Sequence, residues 1–138
     1  MVISDLKVGT IVHFFDEESY QPKPKYSVIV GLSGDSYNLA TVFINTNIKS
    51  EHLNSPELAK LHYKISCKRY SNFLKDDSFV DCSDLKHRQK TSFLEALNSP
   101  SGKIVGNLAT DDLENVLNMI LASDTISPYY LKLYCISK

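Results

Sequence analysis

The sequence predicts an α+β domain built on a strongly bent, mostly antiparallel β-sheet and backed by a helix near the C-terminus. Three observations carry this. Gly9 to Phe15, Tyr26 to Leu32 and Tyr37 to Thr46 are runs rich in β-branched and aromatic residues, bounded by turn-forming residues, as strands are. The last two flank Ser33-Gly34-Asp35-Ser36 and read as a hairpin, and their almost continuously apolar middles imply burial on both faces. Leu113, Val116, Leu117, Ile120 and Leu121 then fall on one helical face, with Thr110 as cap and Asp111 and Asp112 in the first turn, where the helix dipole favours acids.

The remaining elements follow in chain order. Asp16 to Lys25 contains two prolines and no period, so it reads as an exposed loop, longer than a hairpin needs. Excess length of that kind often carries function above a rigid sheet. Ser55-Pro56-Glu57 opens a short helix, with Ser as cap and Pro at the first helical position. His62 to Cys67 alternates as a strand does, Tyr70 to Asp77 is a loop, and Ser78 to Cys82 is a further strand leading through Ser83 and Asp84 into Leu85 to Gln89. Thr91 to Asn98 makes about two helical turns before Ser99-Pro100-Ser101-Gly102 stops it, and Lys103 to Leu108 is a short strand. Tyr129 to Ile136 is aromatic and strand-like, fit for an extra edge strand or an oligomer contact. With no repeat, low-complexity tract or internal boundary, residues 1–138 form a single domain. At 43% apolar and 22% charged residues it needs neither disulfides nor metal to be stable.

A formal net charge of -1, from 15 Lys+Arg and 16 Asp+Glu, supplies no global field toward nucleic acid or an anionic membrane. The distribution is uneven. Lys60 to Lys90 holds eight basic and four acidic side chains against seven and twelve in the remainder, which reads as a solvated face of mixed charge or as a polyanion-contacting one. The odd set Cys67, Cys82 and Cys135, without C-x-x-C spacing, fits buried thiols in a reducing, cytoplasmic compartment. No leader or membrane span is expected, since the start lacks a basic or apolar run and Asn118 interrupts the apolar stretch Val116 to Ala122. His13, His52, His62 and His87 lack metal-binding spacing, and the five glycines are too scattered for a phosphate loop, so neither metal nor cofactor is expected.

The order of strand, long loop, core hairpin, Ser78 to Ser83 and final helix resembles the MazF/PemK/Kid group of bacterial toxins, small SH3-like barrels related to CcdB. The likeness runs over most of residues 8–122. It lies in Gly9-Thr10-Ile11-Val12, in Lys25-Tyr26-Ser27-Val28-Ile29-Val30 where the family has Arg-Pro before an apolar strand, and in Ile44-Asn45-Thr46 where a strand ends in Thr. It continues in Ser78-Phe79-Val80-Asp81-Cys82 and in Ile104-Val105-Gly106-Asn107-Leu108 with the helix behind it.

This resemblance implies a cytoplasmic, metal-independent endoribonuclease that cleaves single-stranded RNA, works as a homodimer without cofactor or membrane, and is neutralised by an antitoxin. Such chemistry asks for a base near the ribose 2′-hydroxyl, an acid for the leaving oxygen and donors around the phosphate. Lys25 falls where the family's loop arginine sits and Thr46 matches its threonine, so both are expected to hold the phosphate; Lys25 lacks the planar fork of arginine. His13 supplies a group that titrates near neutral pH. Lys23, Asn45, Ser78 and Ser83 are the expected RNA contacts. The plainer reading of these residues is a structural histidine, solvated lysines and a strand-end turn. Asp81-Cys82-Ser83 departs from the Arg-Cys-Asp of some members, replacing a cation by an acid and an acid by a hydroxyl. That departure supports a second reading, an inactive MazF-like barrel serving as an RNA- or protein-binding regulatory module. A third is an interaction domain with Tyr129, Tyr130 and Tyr134 as an adhesive edge.

Overall fold

A computed structural model describes residues 6–16, 23–35, 37–46, 60–134 and 136. Its strands are β1 (Thr10–Asp16), β2 (Lys23–Leu32), β3 (Asn38–Asn45), β4 (His62–Ile65), β5 (Ser78–Asp81), β6 (Lys86–Gln89) and β7 (Lys103–Asn107). Three helices follow or interleave: α1 (Lys90–Leu97), α2 (Thr110–Ala122) and α3 (Pro128–Leu133). Every pairing is antiparallel, in the order β4-β5-β3-β2-β1-β7, with β6 also on β3. The predicted α+β class with a mostly antiparallel sheet is therefore what the chain forms.

The sheet bends for identifiable reasons. The outer edge of β3 is divided, Asn38 to Thr41 pairing with β6 and Ile44 and Asn45 with β5. Register shifts between Ile29 and Gly31 and between Ile11 and Val12 add local twist, as bulges do. Alternation along the strands then separates two apolar cores. Ile11, Val28, Val30, Ala40, Val42 and Val80 pack with Val116 and Ile120 of α2, while Val12, Phe14, Ile29 and Leu39 pack with Phe93 and Leu97 of α1.

The hairpin turn is fixed by side chains. Ser33 Oγ donates to Asp35 Oδ1 at 2.6 Å, the Tyr37 amide donates to the same oxygen at 3.0 Å, and the Asn38 amide donates to Ser33 Oγ at 3.0 Å. The Ser33 hydroxyl and then the Tyr37 amide hold the Asp35 carboxyl below its usual range. α2 is anchored through Asp112, which is 6% exposed. Tyr63 donates to its Oδ1 at 2.7 Å, Tyr70 donates to its Oδ2, and Arg69 Nη1 lies 3.4 Å from Oδ2. Burial, then the bond to Asp112, pushes the Tyr70 hydroxyl up to about 12.

Four expectations change. Lys23-Pro24-Lys25 is strand and not loop, with Asp16 opposite Lys23 and Phe15 opposite Pro24. Pro24 is tolerated because it lies at the strand's start. Ala109, not Thr110, precedes α2, and its amide donates to the Tyr70 hydroxyl at 3.0 Å in place of a side-chain cap. Leu85 to Gln89 supplies the short strand β6. The aromatic C-terminal stretch is helical, because Ser127 accepts from the Tyr129 amide and Pro128 opens the first turn. α3 delivers Tyr134 onto β2, where a Cβ on Gly31 would stand 2.5 Å from Tyr134 Cβ; only glycine permits that approach. The helix expected at Ser55 lies outside the described residues.

Candidate functional site

Cationic side chains gather on one face of β2 and β3. Register places Ser27 opposite Phe43 and Ile29 opposite Thr41, so odd-numbered side chains of the two strands share this face. Lys25 Nζ sits 4.1 Å from the centre of the Phe43 ring. Lys86 Nζ and Arg88 Cζ, two residues apart on β6, each lie 5.9 Å from the same centre, and Arg88 Cζ is 5.7 Å from that of Phe14. The ring's negative faces attract cations, and the aliphatic stems cover apolar surface. Arg88 is only 6% exposed and donates from Nε to Thr41 Oγ1 at 3.3 Å. Lys86 is also paired with Asp84 at 3.1 Å. Beside this cluster, β1, β6 and α1 enclose a cleft of about 610 Å³.

The opposite face at the same end carries hydroxyls and a histidine. Thr46 Oγ1 and Ser78 Oγ are 2.8 Å apart, and Ser78 donates to the Asp76 carbonyl at 3.1 Å. With the Ser78 proton so engaged, Thr46 is the donor of the pair. His13 stacks at 4.3 Å on Tyr26, which lies 5.0 Å from Phe73. Burial, and then Lys103 directly across the ladder, lowers the His13 pKa, so the imidazole is neutral at pH 7.

The end of β1, the start of β2, the end of β3 and the start of β5 thus bring His13, Lys25, Asn45, Thr46 and Ser78 to one end of the sheet. They divide between its faces: Lys25 lies over Phe43, and Thr46 is bonded to Ser78 away from it. Lys23 joins this end by its backbone pairing with Asp16. Ser83 does not. It lies in the turn two residues past the end of β5, an end that is itself roughly 10 Å along the strand from Ser78 at about 3.3 Å per residue. There its Oγ donates to Asp81 Oδ1 at 2.5 Å, its amide donates to the same oxygen at 3.0 Å, and its carbonyl accepts from Thr125 Oγ1 at 2.5 Å.

Sequence reasoning missed Phe43, Lys86 and Arg88 as members of a cluster. The available signal was Lys86-His87-Arg88-Gln89, where period two sets both cations on one face; its polarity hid the strand. It also missed His62, whose Nε2 lies 3.7 Å from Asp81 across β4 and β5. Cys82 is a core residue whose thiol is pushed up to about 12 by burial, the wrong direction for a nucleophile. Among the described residues, no three of His, Cys, Asp or Glu converge as a metal site, and no helix is long and apolar enough to cross a membrane.

No family model matches this sequence, and no curated protein matches it. Among solved structures the chain is similar to one in the crystal structure of MazE-MazF (Form-III) from Deinococcus radiodurans. The TM-score is 0.55 at 9% identity, over 86% of this chain and 98% of that one. At such identity the likeness is one of architecture. The chain has a MazF-like, barrel-like α+β fold.

Proposed function

We propose that the chain is a toxin-like, metal-independent endoribonuclease acting on single-stranded RNA in the cytoplasm, as a homodimer restrained by an antitoxin. The observation that carries this reading is the cationic cluster on Phe43, with Lys25 at 4.1 Å and Lys86 and Arg88 at 5.9 Å, which runs from the start of β3 toward the sheet end that holds Thr46 and His13. Single strands are gripped by positive charge along the backbone and by aromatic rings under the bases. In the reaction, the ribose 2′-oxygen bonds to phosphorus as the bond to the 5′-oxygen breaks. Neutral His13 takes the 2′-hydroxyl proton, and the departing 5′-oxygen is protonated by water or by the resulting imidazolium. Thr46, its hydroxyl turned from Ser78 to the RNA, donates to a phosphate oxygen where charge grows, on the face that carries His13, while Lys25 holds the strand's charge from the other face. A strand crossing the rim of the sheet meets both faces. The antitoxin part of this reading is supported by the fold likeness to a chain of a MazE-MazF complex.

Purified protein incubated with mixed-sequence single-stranded RNA in chelator tests this. The parent cleaves, Thr46→Ala loses about a hundredfold or more of the rate, the scale of a lost transition-state donor, and Lys25→Ala loses rate through weaker binding of the RNA. An intact RNA pool after prolonged incubation with the parent ends the enzymatic claim. The second reading, an RNA-binding module without cleavage, is favoured by the Asp81 carboxylate, which is engaged by the Ser83 hydroxyl and amide. Binding that weakens steeply with salt while the RNA stays whole identifies it.

A further inference from the structure

Resting on the reading of this chain as an RNA binder, we propose that the cleft between β1, β6 and α1 receives one unstacked base of the bound strand. The cleft holds about 610 Å³, within the range of pockets that enclose small ligands. Its deep wall is rigid and aromatic. The Phe14 and Phe93 rings meet edge to face at 5.3 Å and 78°, and both side chains are buried, so the wall is formed before anything binds. Phe15, also on the lining, is 42% exposed and presents an aromatic surface to solvent. Gln89 and Ser92 offer an amide and a hydroxyl at exposed lining positions, the groups that read the edge of a base.

Charge decides the occupant. The cations do not ring the cleft; they lie to one side, over Phe43, and Arg88 joins the two regions, 5.7 Å from the Phe14 ring and 5.9 Å from that of Phe43. Glu95 is the acid of the lining. An acidic peptide would want cations along the whole groove. A nucleotide has the asymmetry found here: a flat, neutral, hydrogen-bonding ring attached to one anionic group. With the base on the exposed Phe15 ring, over the floor that Phe14 and Phe93 support, its phosphate falls toward Lys86 and Lys25 beside Arg88.

The test uses the full chain and an eight-nucleotide single-stranded RNA containing 5-iodouridine, which cross-links on irradiation to an aromatic side chain stacked on it. The cross-link is expected on Phe15. Ser92→Trp, which fills the cleft from an exposed helical position, weakens binding about tenfold or more, and Phe15→Ala about fivefold, the range of one lost base stack. Both variants keep the parental melting temperature. If the parent binds RNA but cross-links elsewhere and both variants bind as the parent does, the cleft proposal fails and the RNA reading survives. If the parent binds no RNA, both fail. Cross-linking in the cleft without cleavage supports the cleft and removes only the catalytic claim. Amide shifts at Phe14 and Phe93 with an acidic, phenylalanine-containing peptide, and none with RNA, overturn the proposal in favour of a peptide.

Discussion

The two faces of the central sheet treat charge in opposite ways. Behind the α2 face, one buried carboxylate, Asp112, is met by two tyrosine hydroxyls, with Arg69 beside it. On the other face, Lys25, Lys86 and Arg88 converge on the ring of Phe43. A carboxylate so satisfied locks α2 to β4 and the 66–74 segment, and that lock is structural. The Phe43 ring, the pairing of Lys86 with Asp84 and the bond of Arg88 to Thr41 hold these cations in place, and under the proposed function their charge serves a polyanion. Each face covers a buried apolar core, so the two differ in how they place charge and not in whether they contribute to stability.

The strongest way to break this contrast is Asp112→Ala. It leaves the buried Tyr70 and the Tyr63 hydroxyls without their acceptor, while Arg69 keeps its paired bonds to Asp111, and should cost about 2 kcal/mol, seen as a large fall in the denaturant midpoint. A loss under about 0.5 kcal/mol would place the anchor elsewhere. Lys25→Ala should do the reverse. Stability stays within about 0.5 kcal/mol of the parent, while the slope of log binding constant against log salt drops by about one phosphate contact. A destabilised Lys25→Ala that binds RNA normally would make the Phe43 cluster structural.

The smallest effect is on pH. The His13 pKa is lowered in the folded state by burial and by Lys103. The unfolded chain therefore takes up this proton more readily as pH falls through about 6.5, the ordinary histidine value, and stability declines with it until the folded value is passed. His13→Gln should flatten the change in urea midpoint between pH 7.5 and 5.5. An unchanged slope would show that His13 does not contribute to it.

Much of the fold was legible because period and punctuation agreed. The Ser33 to Ser36 turn between two apolar runs, and the stripe from Leu113 to Leu121, each carry a local signal that the tertiary structure leaves intact. β6 was not legible, since Lys86-His87-Arg88-Gln89 is a strand by virtue of its pairing with β3 and not by propensity. Tyr129 to Ile136 misled because aromatic content was weighed above Ser127-Pro128, whose cap and fixed φ open a helix. At the candidate site, Lys25 and Thr46 were legible as neighbours at one end of adjacent strands. That they face opposite ways followed from register, which the sequence between residues 16 and 25 conceals. Arg88 entered only through space, from a strand more than forty residues away.

The outer strands of the sheet are β4, β6 and β7, of four, four and five residues, and β7 is out of register where it meets Ile11 and Val12. A rim that short presents few backbone donors and acceptors to a foreign strand. Among the described residues, then, none of these outer strands is a good template for sheet extension. A second copy or an inhibitory peptide that adheres to this molecule would have to be held by its side chains, and its recognition would be rewritten by single substitutions.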